Sequence, residues 1–184
     1  MSERNAQPSI QSPAPVPPET KDWTGVITQG CAECGFTPHV TLTEIGARLR
    51  ATIPRWQAVL TRPDATVRPA PLVWSPLEYA CHVRDVCALF RYRLGLMVEH
   101  DGATFEDWDQ DATAQAEAYW AQDPARVASQ FANEASHTAE AFDAVPAEAY
   151  SHRGMRSNGS QFTIATFGPY FIHDIEHHLH DVNG

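Results

Sequence analysis

Four of the nine histidines in this 184-residue chain fall between positions 173 and 180, in the segment FIHDIEHHLHDV. A helix turns about 100° per residue, so it would present His173 with His177 on one face and Asp174 with His178 on another. Both pairs have the i, i+4 spacing that allows two side chains to bind the same metal ion. The segment therefore points to metal-ion chemistry.

The apolar residues of this helix favour the second pair. Their mean direction marks the side that faces the core, and His178 lies about 70° and Asp174 about 110° from it. His173 and His177 lie about 150° or more away by the same helical geometry. We therefore expect Asp174 and His178 to border the core, and His173 with His177, the alternative pair, to face outward. The apolar residues are Phe171, Ile172, Ile175, Leu179 and Val182.

A third ligand has to come from another element, since one helical turn offers two well-placed groups on a face. His82 is the best candidate, because it lies in an apolar run where an unpaired imidazole would be costly to bury. Two imidazoles and a carboxylate suit Zn²⁺ or Ni²⁺ and leave a position for water or substrate, which favours catalysis. Asp85 and Asp181 each follow a histidine, His82 or His178, by three residues and are candidates to orient the ligands or neighbouring groups.

The segment Cys31-Ala-Glu-Cys34 is a single CxxC motif. It is half of a structural zinc site, for which His39 is a candidate third ligand; a redox pair and two free thiols are equally open. The other two cysteines lie in an apolar helical run, so the chain is not a disulfide scaffold.

Four principal helices are predicted to position these residues. The first follows the capping box of Thr41 and Glu44 and contains Pro54. The second begins after the N-cap Ser75 and runs to about Glu99, and the third follows Asp123-Pro124 and reaches about Ala144. The last begins between 163 and 169 and ends near Val182. Asn158-Gly159 predicts a small turn of hairpin type before it.

These patterns predict an all-α protein, an antiparallel four-helix bundle over residues 41–184. An irregular or β-like segment with the CxxC motif precedes it over 21–40. Residues 1–20 contain five prolines and almost no large apolar side chain, which predicts a disordered tail.

Thirteen basic against 23 acidic residues give a net charge of −10, which disfavours nucleic acid and anionic membranes as partners. With neither an apolar run of about 20 residues nor a secretion signal, the chain is expected to be cytoplasmic. A homodimer through an apolar helical face is a further expectation.

The segments WSPLEYACHVRDV and HDIEHHLHDV resemble the DinB-like family of four-helix-bundle metalloproteins, which includes mycothiol- and bacillithiol-dependent transferases and isomerases. The resemblance covers roughly residues 41–182. It implies a divalent metal held by His82, Asp174 and His178, although two histidines are the commoner pair on the last helix. It also implies that the metal binds a low-molecular-weight thiol such as mycothiol as a thiolate, which attacks an electrophilic substrate.

Arg156, Arg153 and Arg84 are candidate anchors for an acidic group on such a thiol or substrate, and Arg156 is the one we favour. Two other functions compete with thiol transfer or isomerisation. In a metal-dependent hydrolase of the same fold, water would be the nucleophile. In a non-catalytic helical binding module, the histidines would only be solvated and the acidic loop over residues 101–111 would do the binding.

Overall fold

The computed structural model describes residues 12–184, a mostly helical chain with one small sheet. Residues 1–11 of the predicted tail lie outside this range. The helices are α1 (Val26–Gln29), α2 (Ile45–Leu60), α3 (Pro76–Glu99), α4 (Gln110–Ala116), α5 (Pro124–Asp143) and α6 (Ile164–Asp181). The strands are β1 (Ala103–Phe105), β2 (Arg153–Arg156) and β3 (Gln161–Thr163). Helices α2, α3, α5 and α6 are the four predicted principal helices.

Helix α3 begins where the capping signals predicted. The backbone N–H of Ser75 donates to Oε2 of Glu78 at 2.9 Å, and Ser75 Oγ accepts from the backbone N–H of Glu78 at 3.3 Å. Pro76 occupies the first helical position, where no backbone N–H is needed. The carboxylate of Glu78 is buried and pairs with Arg68. This network fixes the first turn of the helix, one turn before His82.

The core lies between the four long helices and is rich in aromatic side chains. Phe90 of α3 stacks on Phe167 of α6 with ring centroids 4.7 Å apart. Helix α2 approaches α5 closely at Gly46, where an added Cβ would lie 2.9 Å from the carbonyl oxygen of Ala139. The packing of Phe167 against Phe90 fixes which face of α6 points into the core, and therefore which face points away from it.

The small sheet corrects the predicted all-α fold class. The chain is not all-α, because β1 pairs parallel with β2, and β2 pairs antiparallel with β3. The β2–β3 turn is the one predicted at Asn158-Gly159, with Gly159 at φ +95°. Residues 21–40 are predicted to be irregular or β-like, and they are irregular: they hold a 3₁₀ turn at Trp23–Gly25, helix α1 and loops, and no strand. β1 lies in the acidic connection that follows α3, residues 101–111 (DGATFEDWDQD), which carries no strand pattern.

Residues 12–40 lie against the helices. Ala14 accepts a hydrogen bond from Arg68 at 2.7 Å through its carbonyl oxygen. Val16, Trp23 and Ile27 are partly buried against the core. This segment therefore covers a surface of the helical domain that includes part of α6. Across the described residues, no helix is both long and apolar enough to span a bilayer.

Candidate metal centre

His82, Asp174 and His178 come together in the structure, and we call them the three-residue cluster. One ligand atom from each lies within 4.8 Å of the others. Oδ1 of Asp174 is 3.4 Å from Nε2 of His82 and 3.1 Å from Nε2 of His178. The i, i+4 pair comes from α6 and the third group from α3, as the sequence predicted.

These spacings can be compared with those of a coordination sphere. Nitrogen and oxygen ligands that bind zinc at about 2.0–2.2 Å in a tetrahedron lie about 3.3–3.6 Å from one another. The measured 3.4 and 3.1 Å are close to that range. Both ring nitrogens of His82 are buried, and neither makes a hydrogen bond with any described residue. Since an unpaired buried imidazole is costly, a bound cation would satisfy it. The residues present therefore fit a divalent metal.

Two tryptophans hold the imidazole of His82 in place. The ring of Trp108 stacks on it at 5.4 Å with an interplanar angle of 10°, and the ring of Trp74 lies 5.4 Å away. His82 is only 1% exposed as a result. Trp74 is buried in the core, and Trp108 is partly buried. Sequence reasoning gave Trp108 no definite role, because its position beside His82 depends on how the acidic connection packs on α3.

Asp181 orients His178. Its Oδ2 lies 2.9 Å from Nδ1 of His178, so the other ring nitrogen, Nε2, is left to face Asp174. A carboxylate on the outer nitrogen of a ligand histidine fixes the ring and raises its basicity. Asp85 contacts neighbouring groups rather than the ligand itself. Asp85 pairs with Arg84 and accepts the hydroxyl hydrogen of Tyr119, and its carboxylate makes no hydrogen bond with His82.

The charges in the cluster favour cation binding. Burial would raise the pKa of Asp174, but the hydrogen bond from His178 and the nearby His82 imidazole hold that pKa well below its usual range. Burial would lower the pKa of His178, but hydrogen bonds with Asp174 and Asp181 outweigh it and raise that pKa to about 9. A metal ion that binds here would have to displace the proton from His178.

The alternative pair on α6 corrects another expectation. His173 and His177 do not face solvent: they are 3% and 7% exposed. Trp23 lies 4.8 Å from the His177 ring, and Phe36 lies 5.1 Å from the His173 ring. Burial lowers the pKa of His173 to about 4 and also lowers the pKa of His177, so both imidazoles are neutral at pH 7.

His173 and His177 face the CxxC motif instead. Their ring nitrogens and the sulfur atoms of Cys31 and Cys34 form a second group in which all the ligand atoms lie within 4.8 Å of one another, the four-residue cluster. His39, the predicted third partner of the cysteines, is exposed and is not part of it. The sequence signal for this cluster was the i, i+4 spacing of His173 and His177. Because this pair was expected to face solvent, its proximity to the cysteines was not predicted.

A cavity of about 490 Å³ opens on the three-residue cluster. Asp174 and His178 line it, as do His173 and His177 of the four-residue cluster, whereas His82 lies buried and does not line it. Residues of the N-terminal segment, including Val16, Pro18 and Trp23, form part of its wall. The segment therefore shapes access to the cluster.

The chemistry of the cavity wall is aromatic and acidic. No lysine or arginine is among the described residues that line it. The aromatic residues are Trp23, Trp74, Tyr79 and Tyr170, and the acidic residues besides Asp174 are Glu19, Glu33, Asp111 and Asp181. Such a wall favours an uncharged or cationic molecule over an anionic one.

The three arginines considered as anchors lie in other networks. Arg156 donates to Asn158 and Ser160 at 3.0 Å each, Arg153 pairs with Asp101, and Arg84 pairs with Asp85. None of them is among the described residues that line the cavity. Binding of thiol or substrate by Arg156 stays a prediction.

Asp181→Asn tests the orienting role of Asp181. We expect the affinity of the three-residue cluster for zinc to fall about 10- to 100-fold, because the amide cannot supply the negative charge that raises the basicity of His178. Competition with a chromophoric zinc chelator measures the change. His137→Ala is the control, because His137 is exposed on α5 and belongs to neither cluster. Equal affinities for Asp181→Asn and wild type would contradict the role.

Comparisons with known proteins agree with this architecture. The family model of the DinB superfamily matches residues 60–182. A solved structure, YfiT from Bacillus subtilis, is similar with a TM-score of 0.60 at 14% identity, and the match covers 77% of this chain and 81% of that chain. YfiT is described as a probable metal-dependent hydrolase with an unusual four-helix bundle topology. No curated protein matches the chain.

Proposed function

Since the chain belongs to the DinB superfamily, we propose that it is a metal-dependent enzyme whose ion, zinc or nickel, is held by His82, Asp174 and His178. One observation carries the proposal: these donors converge at distances suited to a tetrahedral ion, beneath a cavity of about 490 Å³. Three protein ligands leave a coordination position free, which is the pattern of catalytic rather than structural sites.

A divalent ion held by these three residues would supply Lewis-acid chemistry, lowering the pKa of a water or thiol bound to it. The residues of the chain orient the ligands, provide a negative charge and shield the site from solvent. Asp181 fixes the ring of His178, and Asp174 provides the negative ligand. Trp74 and Trp108 shield His82 from solvent, which strengthens electrostatic interactions at the site.

We propose that the nucleophile is a low-molecular-weight thiol. The enzyme would transfer this thiol to an electrophile or use it as a cofactor in isomerisation or detoxification. The cavity wall supports an uncharged thiol of the mycothiol kind, because four acidic residues would repel a thiol that carries extra carboxylates. The aromatic side chains of Trp23, Trp74, Tyr79 and Tyr170 offer flat surfaces for the apolar face of a sugar or of an aromatic electrophile.

A metal-dependent hydrolase is the second candidate, and the description of YfiT favours it. It would use the same three ligands, with water as the nucleophile. The two activities are separable in one assay series: zinc- or nickel-loaded protein is given an aromatic electrophile with and without a thiol, and in parallel an activated ester without thiol. Turnover that requires the thiol supports transfer, whereas ester hydrolysis alone supports the hydrolase.

His82→Ala tests the site that both candidates share. We expect it to lower the metal content by about one ion per chain and to abolish turnover, because two remaining ligands rarely retain an ion at an open site. Elemental analysis measures the loss. His137→Ala is the matched control, since His137 is exposed on α5. Unchanged metal content in His82→Ala would overturn the assignment.

A further inference from the structure

A second group of metal-binding side chains lies on the side of α6 that faces the N-terminal segment. We propose that Cys31, Cys34, His173 and His177, the four-residue cluster, hold a structural zinc ion that fastens this segment to α6. The proposal does not depend on the reaction at the three-residue cluster.

The spacing of the ligand atoms in the cluster is compatible with a tetrahedral zinc site. Zinc binds thiolate sulfur at about 2.3 Å and imidazole nitrogen at about 2.0 Å, so these atoms lie about 3.5 Å apart on a tetrahedron. Sγ of Cys31 is 3.6 Å from Nδ1 of His177. All four ligand atoms lie within 4.8 Å of one another. Two cysteines and two histidines form one of the usual ligand sets of structural zinc.

The cysteine loop is shaped to present both sulfur atoms. The backbone N–H of Gly35 donates to the carbonyl oxygen of Cys31 at 2.9 Å, and the N–H of Cys31 donates to that of Phe36 at 2.9 Å. The turn requires a left-handed backbone at Gly30, with φ +72°, and at Gly35, with φ +77°. A Cβ at Gly30 would lie only 2.5 Å from the carbonyl oxygen of Phe36.

The two histidines distinguish a metal site from a redox pair. A disulfide between Cys31 and Cys34 would engage only the sulfur atoms and leave both buried imidazoles beside it. Nε2 of His173 is buried and has no hydrogen-bond partner among the described residues. His173 and His177 also pack against Phe36 and Trp23 and are 3% and 7% exposed, so solvent has little access to them. A single ion satisfies all four groups together.

Four protein ligands leave no position for substrate, so the ion is structural. His177 also has acidic neighbours: its Nε2 lies 3.7 Å from Oδ1 of Asp181 and 3.7 Å from Oε2 of Glu33. Carboxylates near the outer nitrogen of a ligand histidine support its orientation. Through this ion, the loop that carries Glu33 would be held at the wall of the cavity above the three-residue cluster.

The test counts metal ions and uses cobalt(II) as a probe of the ligands. Wild type purified from zinc-supplemented cells is expected to carry two zinc ions per chain, and Cys34→Ser to carry one. Cobalt-substituted wild type and His82→Ala should both show a thiolate-to-cobalt charge-transfer band, which Cys34→Ser should lose. His39→Ala, which removes the exposed histidine beside the motif, should keep the band and both ions.

Native mass spectrometry of the wild-type chain counts its ions without any substitution, in case Cys34→Ser fails to fold. Two bound zinc ions support the proposal. So does a thiol count that rises by two after chelation, because Cys31 and Cys34 would then be free to react. A disulfide between Cys31 and Cys34 in freshly purified protein would overturn it. So would a single ion that His82→Ala abolishes, because all bound metal would then belong to the three-residue cluster.

Discussion

Replacing His178 with alanine should remove the metal ion of the three-residue cluster and leave that of the four-residue cluster, whereas His177→Ala should do the reverse. The two residues are neighbours on α6, but Nε2 of His178 lies 3.1 Å from Asp174, and Nδ1 of His177 lies 3.6 Å from Cys31. Because each histidine belongs to one cluster, each variant should lose about one ion per chain. Catalytic turnover should vanish in His178→Ala.

Two measurements separate the variants. Elemental analysis gives the ion count, and the thiolate-to-cobalt band reports the four-residue cluster alone. His178→Ala should keep the band, and His177→Ala should lose it. Asp174→His serves as a conservative companion to His178→Ala, since imidazole suits the same metals and should retain the ion. If His178→Ala lost the band and His177→Ala kept it, the two pairs on α6 would be assigned to the wrong clusters.

Arg68→Ala should lower the free energy of unfolding by about 3–5 kcal/mol, the cost of removing one partner of a buried ion pair. Glu78 is only 1% exposed, and Nε of Arg68 donates to its Oε2 at 2.9 Å. The same oxygen accepts from the backbone N–H of Ser75 in the capping box of α3. Without Arg68, a buried carboxylate at the start of this helix would lack its cation. Urea denaturation followed by circular dichroism measures the change.

Arg153→Ala is the matched control for this prediction. Arg153 also pairs with a carboxylate, that of Asp101, but its side chain is 71% exposed. Solvent screens an exposed pair of this kind, so it contributes little to stability and the control should stay near wild type. Similar losses in the two variants would show that burial of Glu78 does not govern the stability of the α3 N-terminus.

The predictions that succeeded rest on local signals. Ser75, Pro76 and Glu78 mark the start of α3 because a helix must satisfy its first backbone N–H groups within one turn. The apolar stripe of α6 likewise associated Asp174 and His178 with the side of the helix near His82. These relations span a few residues or a single helix, and so they are visible in the sequence.

The failures concern contacts between distant segments. The stripe on α6 shows which face meets the bundle, but not that residues 12–40 cover the opposite face. That contact depends on Trp23 and Phe36, whose positions follow from the whole domain. The CxxC motif likewise carries no information about His173 and His177, which lie about 140 residues further along the chain. Strand β1 has three residues and forms because β2 is beside it.

The ligand pairs of the two clusters are interleaved on α6, at 173 and 177 for one and at 174 and 178 for the other. A substitution can therefore damage one cluster and spare its neighbour. An insertion or deletion of one residue between 174 and 177 would instead rotate His177 and His178 by about 100° relative to His173 and Asp174. Both ligand pairs would then be disrupted at once. This stretch of the helix can tolerate changes of residue type more readily than any change of length.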